Sequence, residues 1–147
     1  MLKIAIKFGL IMALSLIIFF LIMHFLNFSQ NYNLRVFNGV IHLSVIYFAM
    51  KAGLSSGVIS GENYVNSVFL GMLSGFIGVA IFAFFQMLFL NFDVVFMAQI
   101  KESISIGEYL NPYTASLFIL VEGVAVSLIG SYIIARIIEM NMVKTAN

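Results

Sequence analysis

Apolar positions in this chain neither alternate nor recur along one helical stripe; they fill whole segments. Four stretches run almost without charge: Phe8–Phe28, Val36–Met50, Val65–Asn91 and Tyr113–Ala135, the last holding Glu122 in its interior. A hydrocarbon core about 30 Å thick is crossed by roughly 20 apolar residues in an α-helix. Three stretches reach that length, and the second does so once Arg35 and Lys51 extend their charged ends toward the interfaces. The pattern predicts an all-α integral membrane protein with four transmembrane helices, over about 8–28, 36–52, 65–91 and 113–136. The expected arrangement is an antiparallel up-down bundle forming a single membrane domain over residues 1–147.

The connecting segments refine this outline. Ser29–Leu34 is short, so the first two spans should pair as a hairpin. Ala52–Tyr64 is rich in small residues (Gly53, Ser55, Ser56, Gly57, Ser60, Gly61) and reads as a connector; it lacks the lysine and preceding strand of a phosphate-binding loop. In Phe92–Asn111 the residues Phe92, Phe96, Ile100 and Ile104 recur at four-residue intervals among Asp93, Lys101, Glu102 and Glu108. That spacing predicts a short amphipathic helix along the outer interface, between the third and fourth spans. Pro112 then suits the first turn of the fourth span. Lys3 and Lys7 resemble the basic start of a signal peptide. The apolar run after them is about twice a usual h-region and ends in Met23-His24-Phe25-Leu26-Asn27, without a small-x-small cleavage pattern, so it is read as a retained span.

Composition agrees and removes other classes. The 147 residues are 63% hydrophobic and 9% charged, with a mean hydropathy of +1.11. A net charge of +1 without a basic patch argues against a nucleic-acid partner. With Cys 0 the chain has no disulfide framework and no thiolate nucleophile. HExxH and GxSxG patterns are absent, so the chain is read as non-enzymatic and no cofactor is expected. With four spans, Lys3, Lys7, Lys51, Arg136 and Lys144 share one face and Arg35 and Lys101 the other. The positive-inside bias puts both termini and the 51–64 loop in the cytoplasm. The tyrosines agree: Tyr32, Tyr109 and Tyr113 fall at outer span ends, and Tyr47, Tyr64 and Tyr132 at inner ends.

Two sets of residues stand out within the spans. Ser67, Gly71, Ser74, Gly75 and Gly78 form a small-residue side on the third span, with Gly123, Ser127, Gly130 and Ser131 as a matching edge on the fourth. Small residues let helices approach closely, within one chain or across a homodimer seam. The second set is polar: His24, Asn38, His42, Gln86 and Glu122, one or two from each span and all assigned to the outer half. Glu122 lies about 13 Å below Tyr113, near the midplane, where a carboxylate is expected to be neutral or paired; His42 is its expected partner. Three readings follow for this set. It can be a structural hydrogen-bond network, a proton- or solute-handling site, or, with least support, a metal or haem site on His24, His42 and Glu122.

Lys51, Gly57-Val58-Ile59-Ser60, Gly71 and Glu122-Gly123 resemble the pattern of a bacterial family of small four-helix inner-membrane proteins, described only as a domain of unknown function. The resemblance spans essentially the whole chain. It implies a multi-pass protein of the bacterial cytoplasmic membrane and no particular activity. The expected role is therefore an accessory or scaffold subunit of a membrane assembly, with the lipid bilayer and a homodimer mate or complex subunit as partners. The alternative is a small oligomeric transporter or channel using the Glu122 carboxylate.

Overall fold

The computed structural model describes residues 1–28, 36–59, 64–105 and 107–146, the stretch 142–146 by its backbone alone. The expected hairpin link at 29–34, Tyr32, Arg35, Ser60, Gly61 and the side chain of Lys144 lie outside the described residues. In chain order the elements are α1 (Leu2–Phe25), α2 (Val36–Ser55), α3 (Tyr64–Phe92), α4 (Val94–Ser103), a 3-10 turn (Gly107–Tyr109) and α5 (Pro112–Ala146). No strand occurs among the described residues. Leu2–Phe25, Val36–Ser55, Tyr64–Phe92 and Pro112–Asn141 are each long and apolar enough to cross a membrane.

Three helices overrun an expected end, α2 by continuing to Ser55. The backbone of α1 is already helical at Leu2, and α5 continues well past Arg136. Apolarity marks where a helix suits hydrocarbon, whereas helix ends are set by backbone hydrogen bonding. Lys3 and Lys7 are good helix formers, and Arg136 is tied to Glu139 at 2.6 Å one turn on. The true stops carry local signals. Asn27 takes φ 59°, and Phe28 N–H donates to the Met23 carbonyl at 2.8 Å while Asn27 N–H reaches that of His24 at 3.0 Å. These bonds close α1 as a Schellman motif, with asparagine in the left-handed position. Gly57, at φ 68°, closes α2 in the same way. Asn111 starts α5: its Oδ1 accepts from Thr114 N–H at 2.9 Å, and Thr114 Oγ1 accepts from Asn111 N–H at 2.9 Å.

α3 is the central helix. It packs most extensively on α5 and α1 and also meets α2, which in turn touches α1 and α5. Large apolar side chains such as Leu14, Phe84, Phe118 and Ile129 are exposed, whereas Ser67, Ser74, Ser127, Ser131 and Gln86 are buried. A water-soluble bundle has the opposite distribution. Here the apolar exterior suits lipid, and small residues let the helices approach.

The small-residue face is used within the chain and divided among three helices. A Cβ on Gly71 would lie 2.6 Å from Ser131 Oγ of α5, and one on Gly75 would lie 2.6 Å from Ser127 Cβ. Gly78 instead faces Met12 of α1, where a Cβ would lie 2.7 Å from the methionine Cβ. Gly123 faces Val79, and Gly130 faces Leu43 of α2 rather than α3. A second copy of the chain would therefore have to use the outward apolar faces. The expected amphipathic segment is α4. Phe96 and Met97 are buried against Leu90 and Leu110, while Phe92, the first member of the anticipated stripe, is 86% exposed at the end of α3.

Candidate functional site

The end of the bundle that α4 covers holds a partly open cavity of about 520 Å³. That is within the roughly 300–1,000 Å³ of typical small-molecule sites. α2 contributes Asn38, Gly39 and His42, α3 contributes Val79, Phe82 and Gln86, and α5 contributes Ile119 and Glu122. Leu16, Phe19 and Phe20 of α1 form another wall. Phe96, Ile100 and Ile104, on or just after α4, cover the remaining end with Leu110. The four-residue stripe of the 92–111 segment thus has a use beyond lying at an interface: three of its members face the cavity.

His42 forms the floor. Its imidazole is buried, and Nε2 lies 2.8 Å from Ser127 Oγ. The Ser127 hydroxyl donates to the Gly123 carbonyl at 2.7 Å. A hydroxyl has one hydrogen to give, so His42 must donate from Nε2. The expected pairing of His42 with Glu122 does not occur. The reason is angular: Ser127 lies on the face of α5 that packs on α3, whereas Glu122, five residues earlier, is turned about 140° away from it. Glu122 lines the cavity and is also exposed, which puts it at the opening. It has no hydrogen-bond or ion-pair partner among the described residues.

The two amides also face the cavity without protein partners. Asn38 Oδ1 is buried and makes no hydrogen bond among the described residues. Gln86 is 4% exposed and likewise lacks a side-chain partner among them. A buried acceptor with nothing to accept from costs about 1–3 kcal/mol. Asn38 Oδ1 is such a group, and with Gln86 beside it the otherwise apolar cavity holds two amides that lack side-chain partners among the described residues.

His24 does not belong to this set. Its Nε2 lies 3.3 Å from Asp93 Oδ2, and its ring is boxed by Phe89 and Phe96 at 5.0 and 5.1 Å. The same aspartate caps α4, accepting from Phe96 N–H at 2.9 Å. His24 therefore ties the end of α1 to the start of the covering helix. The structure thus brings Asn38, His42, Gln86 and Glu122 together and leaves His24 apart, so His24, His42 and Glu122 do not share a metal or haem site. Among the described residues no group of three or more metal-ligating side chains stands together.

Sequence reasoning missed Ser127 as the partner of His42 and Asp93 as the partner of His24. Ser127 was visible only as a small residue, because a hydroxyl bonded to its own helix gives no periodic signal. Asp93 did carry one: an aspartate directly before an apolar helical stripe is a preferred N-cap.

Comparison with protein-family models, curated proteins and solved structures returns no match.

Proposed function

We infer that this chain is a non-enzymatic integral membrane protein that takes up a small, largely apolar molecule in the outer half of its bundle. Of the two roles the sequence suggests, this favours solute handling over a scaffold. The observation that carries it is the cavity of about 520 Å³ lined by Gln86 and by Asn38, whose Oδ1 has no partner among the described residues. A purely structural bundle gains from filling such a space and satisfying such groups.

The up-down order is supported by register. Along α3 the residues Gly71, Gly75 and Val79 meet Ser131, Ser127 and Gly123 in descending order on α5. Orientation is supported by the company of the ends. Ala5, Ile59 and Leu70 cluster at one end, and the Tyr64 hydroxyl donates to the Tyr132 carbonyl at 2.9 Å near Arg136. Lys3, Lys7, Lys51 and Arg136 belong to that end and Lys101 to the other, so both termini are read as cytoplasmic. A bacterial inner membrane follows from the family resemblance, which rests on Lys51, Gly57, Gly71, Glu122 and Gly123 with their neighbours.

The absence of cysteine makes the test direct. Gln86→Cys should react with the small membrane-permeant reagent ethyl methanethiosulfonate, because its side chain lines the cavity. Gly39→Phe should block that reaction. A Cβ on Gly39 has no atom within 4 Å, so a side chain there starts in open space. A Gln86→Cys protein inert to the reagent would show a closed core and end this reading.

A further inference from the structure

The lining of the cavity combines one carboxyl group, amides that can turn their oxygens inward, and aromatic rings. Its acidic member is Glu122, and among the described residues no lysine or arginine joins it there. The atom known to lack a partner is an acceptor, Asn38 Oδ1. Gln86 adds a second amide oxygen, 4% exposed and free of protein partners among the described residues. The walls add aromatic faces: Phe19, Phe20, Phe82, Phe96 and Phe118 all line the cavity. An aromatic ring presents negative potential at its face and attracts a cation placed over it. The floor is already committed, since His42 Nε2 donates to Ser127. The vacancies therefore ask for a hydrogen-bond donor, a positive charge and an apolar body.

We propose that the occupant is a small organic ammonium, its N–H group held by the Asn38 and Gln86 oxygens, its charge opposed by Glu122 and its body among the phenylalanines. This rests on the solute-binding reading and names the chemical class of the solute. Glu122 fits the role better than a structural one. A carboxylate within a span normally pairs with protein or faces a polar cavity, and this one has no protein partner among the described residues. A neutral solute of the same shape would satisfy Asn38 but leave Glu122 without a partner among the described residues.

The test uses the full chain in phosphatidylcholine nanodiscs and tritiated 3,3-diphenylpropylammonium, read by scintillation proximity. The matched neutral probe is 3,3-diphenylpropanol, which keeps the two rings and one donor but has no charge. The ammonium should bind saturably and about ten-fold or more tighter than the alcohol. Glu122→Gln should remove that preference by weakening the ammonium about ten-fold while shifting the alcohol less than about two-fold. Asn38→Leu should weaken both probes. Gly39→Phe should abolish saturable binding of both, separating the cavity from adsorption to the bilayer. Equal affinity for ammonium and alcohol, or a Glu122→Gln variant that keeps the preference, overturns the ammonium assignment. So does the absence of saturable ammonium binding in a protein whose Gln86→Cys form is still modified. The thiol reaction reports on the cavity itself, so failure of the ligand class and failure of the solute-binding reading are distinguishable.

Discussion

His42 on α2 donates from Nε2 to Ser127 on α5 across 2.8 Å, and that bond passes beside Gly75 of α3. Three helices meet at this point because the glycine has no side chain. A Cβ on Gly75 would lie 3.3 Å from His42 Nε2 and 2.6 Å from Ser127 Cβ. His42 also lines the cavity, so this contact ties the packing of three helices to the cavity wall.

Gly75→Ala should already destabilise the bundle, by about 1–3 kcal/mol through overpacking, and Gly75→Leu by more. Leu88→Ala is the control: Leu88 is 42% exposed on the lipid-suited exterior and should change stability by less than about 0.5 kcal/mol. Thermal survival on size exclusion in detergent measures both. A Gly75→Leu protein as stable as wild type would mean that the three helices do not meet there.

Ser127→Ala removes the acceptor of His42 and leaves a buried N–H unpaired. The expected cost is about 0.6–2 kcal/mol. Pairing this change with His42→Phe in a double-mutant cycle isolates the bond. A coupling energy indistinguishable from zero would show that the two side chains do not interact in solution.

Glu122→Leu should leave stability within about 0.5 kcal/mol of wild type, because the carboxylate is exposed and gives nothing to the bundle. Chemical denaturation in mixed micelles is suited to so small a difference. A loss of 2 kcal/mol, on the order expected for a buried hydrogen-bonded group, would return Glu122 to a structural role.

Asp93→Ala should free α4 by removing both the cap and the partner of His24, whereas Asp93→Asn keeps a capping oxygen. N-cap loss costs about 0.5–2 kcal/mol. Hydrogen exchange at the α4 amides should rise in the alanine variant and less in the asparagine one. Equal protection in wild type and Asp93→Ala would exclude the aspartate as the anchor.

Ser103→Cys should react with an impermeant maleimide from the outer side in spheroplasts, and Ser55→Cys should not. Both serines are exposed and their hydroxyls bond only to their own helices, at 2.9 and 3.2 Å. The reverse labelling would invert the proposed orientation.

Four long apolar helices, the fourth-residue stripe of α4 and the close-approach glycines were all legible in the sequence. Each is a local property: length of apolar run, period, or lack of a side chain. Which glycine faces which helix was not legible, because it depends on the rotation of every helix about its axis. A rotation of one residue, about 100°, separates a contact with α5 from one with α1. The same limit explains the wrong partner for His42. Position along the apolar runs grouped His42, Asn38, Gln86 and Glu122, which line one cavity, with His24, which does not line it. Azimuth decided that Ser127 meets the imidazole while Glu122 stands at the opening.

The central position of α3 carries a consequence for the order of events in biogenesis. Gly71 and Gly75 face α2 on one side and α5 on the other, and α5 leaves the ribosome after both α2 and α3. Until residues 123–131 arrive, half of that narrow face is bare, and it is the face best shaped for another helix. The nascent chain thus passes through an interval in which its strongest helix-binding surface is open to any neighbour, and the arrival of α5 ends it.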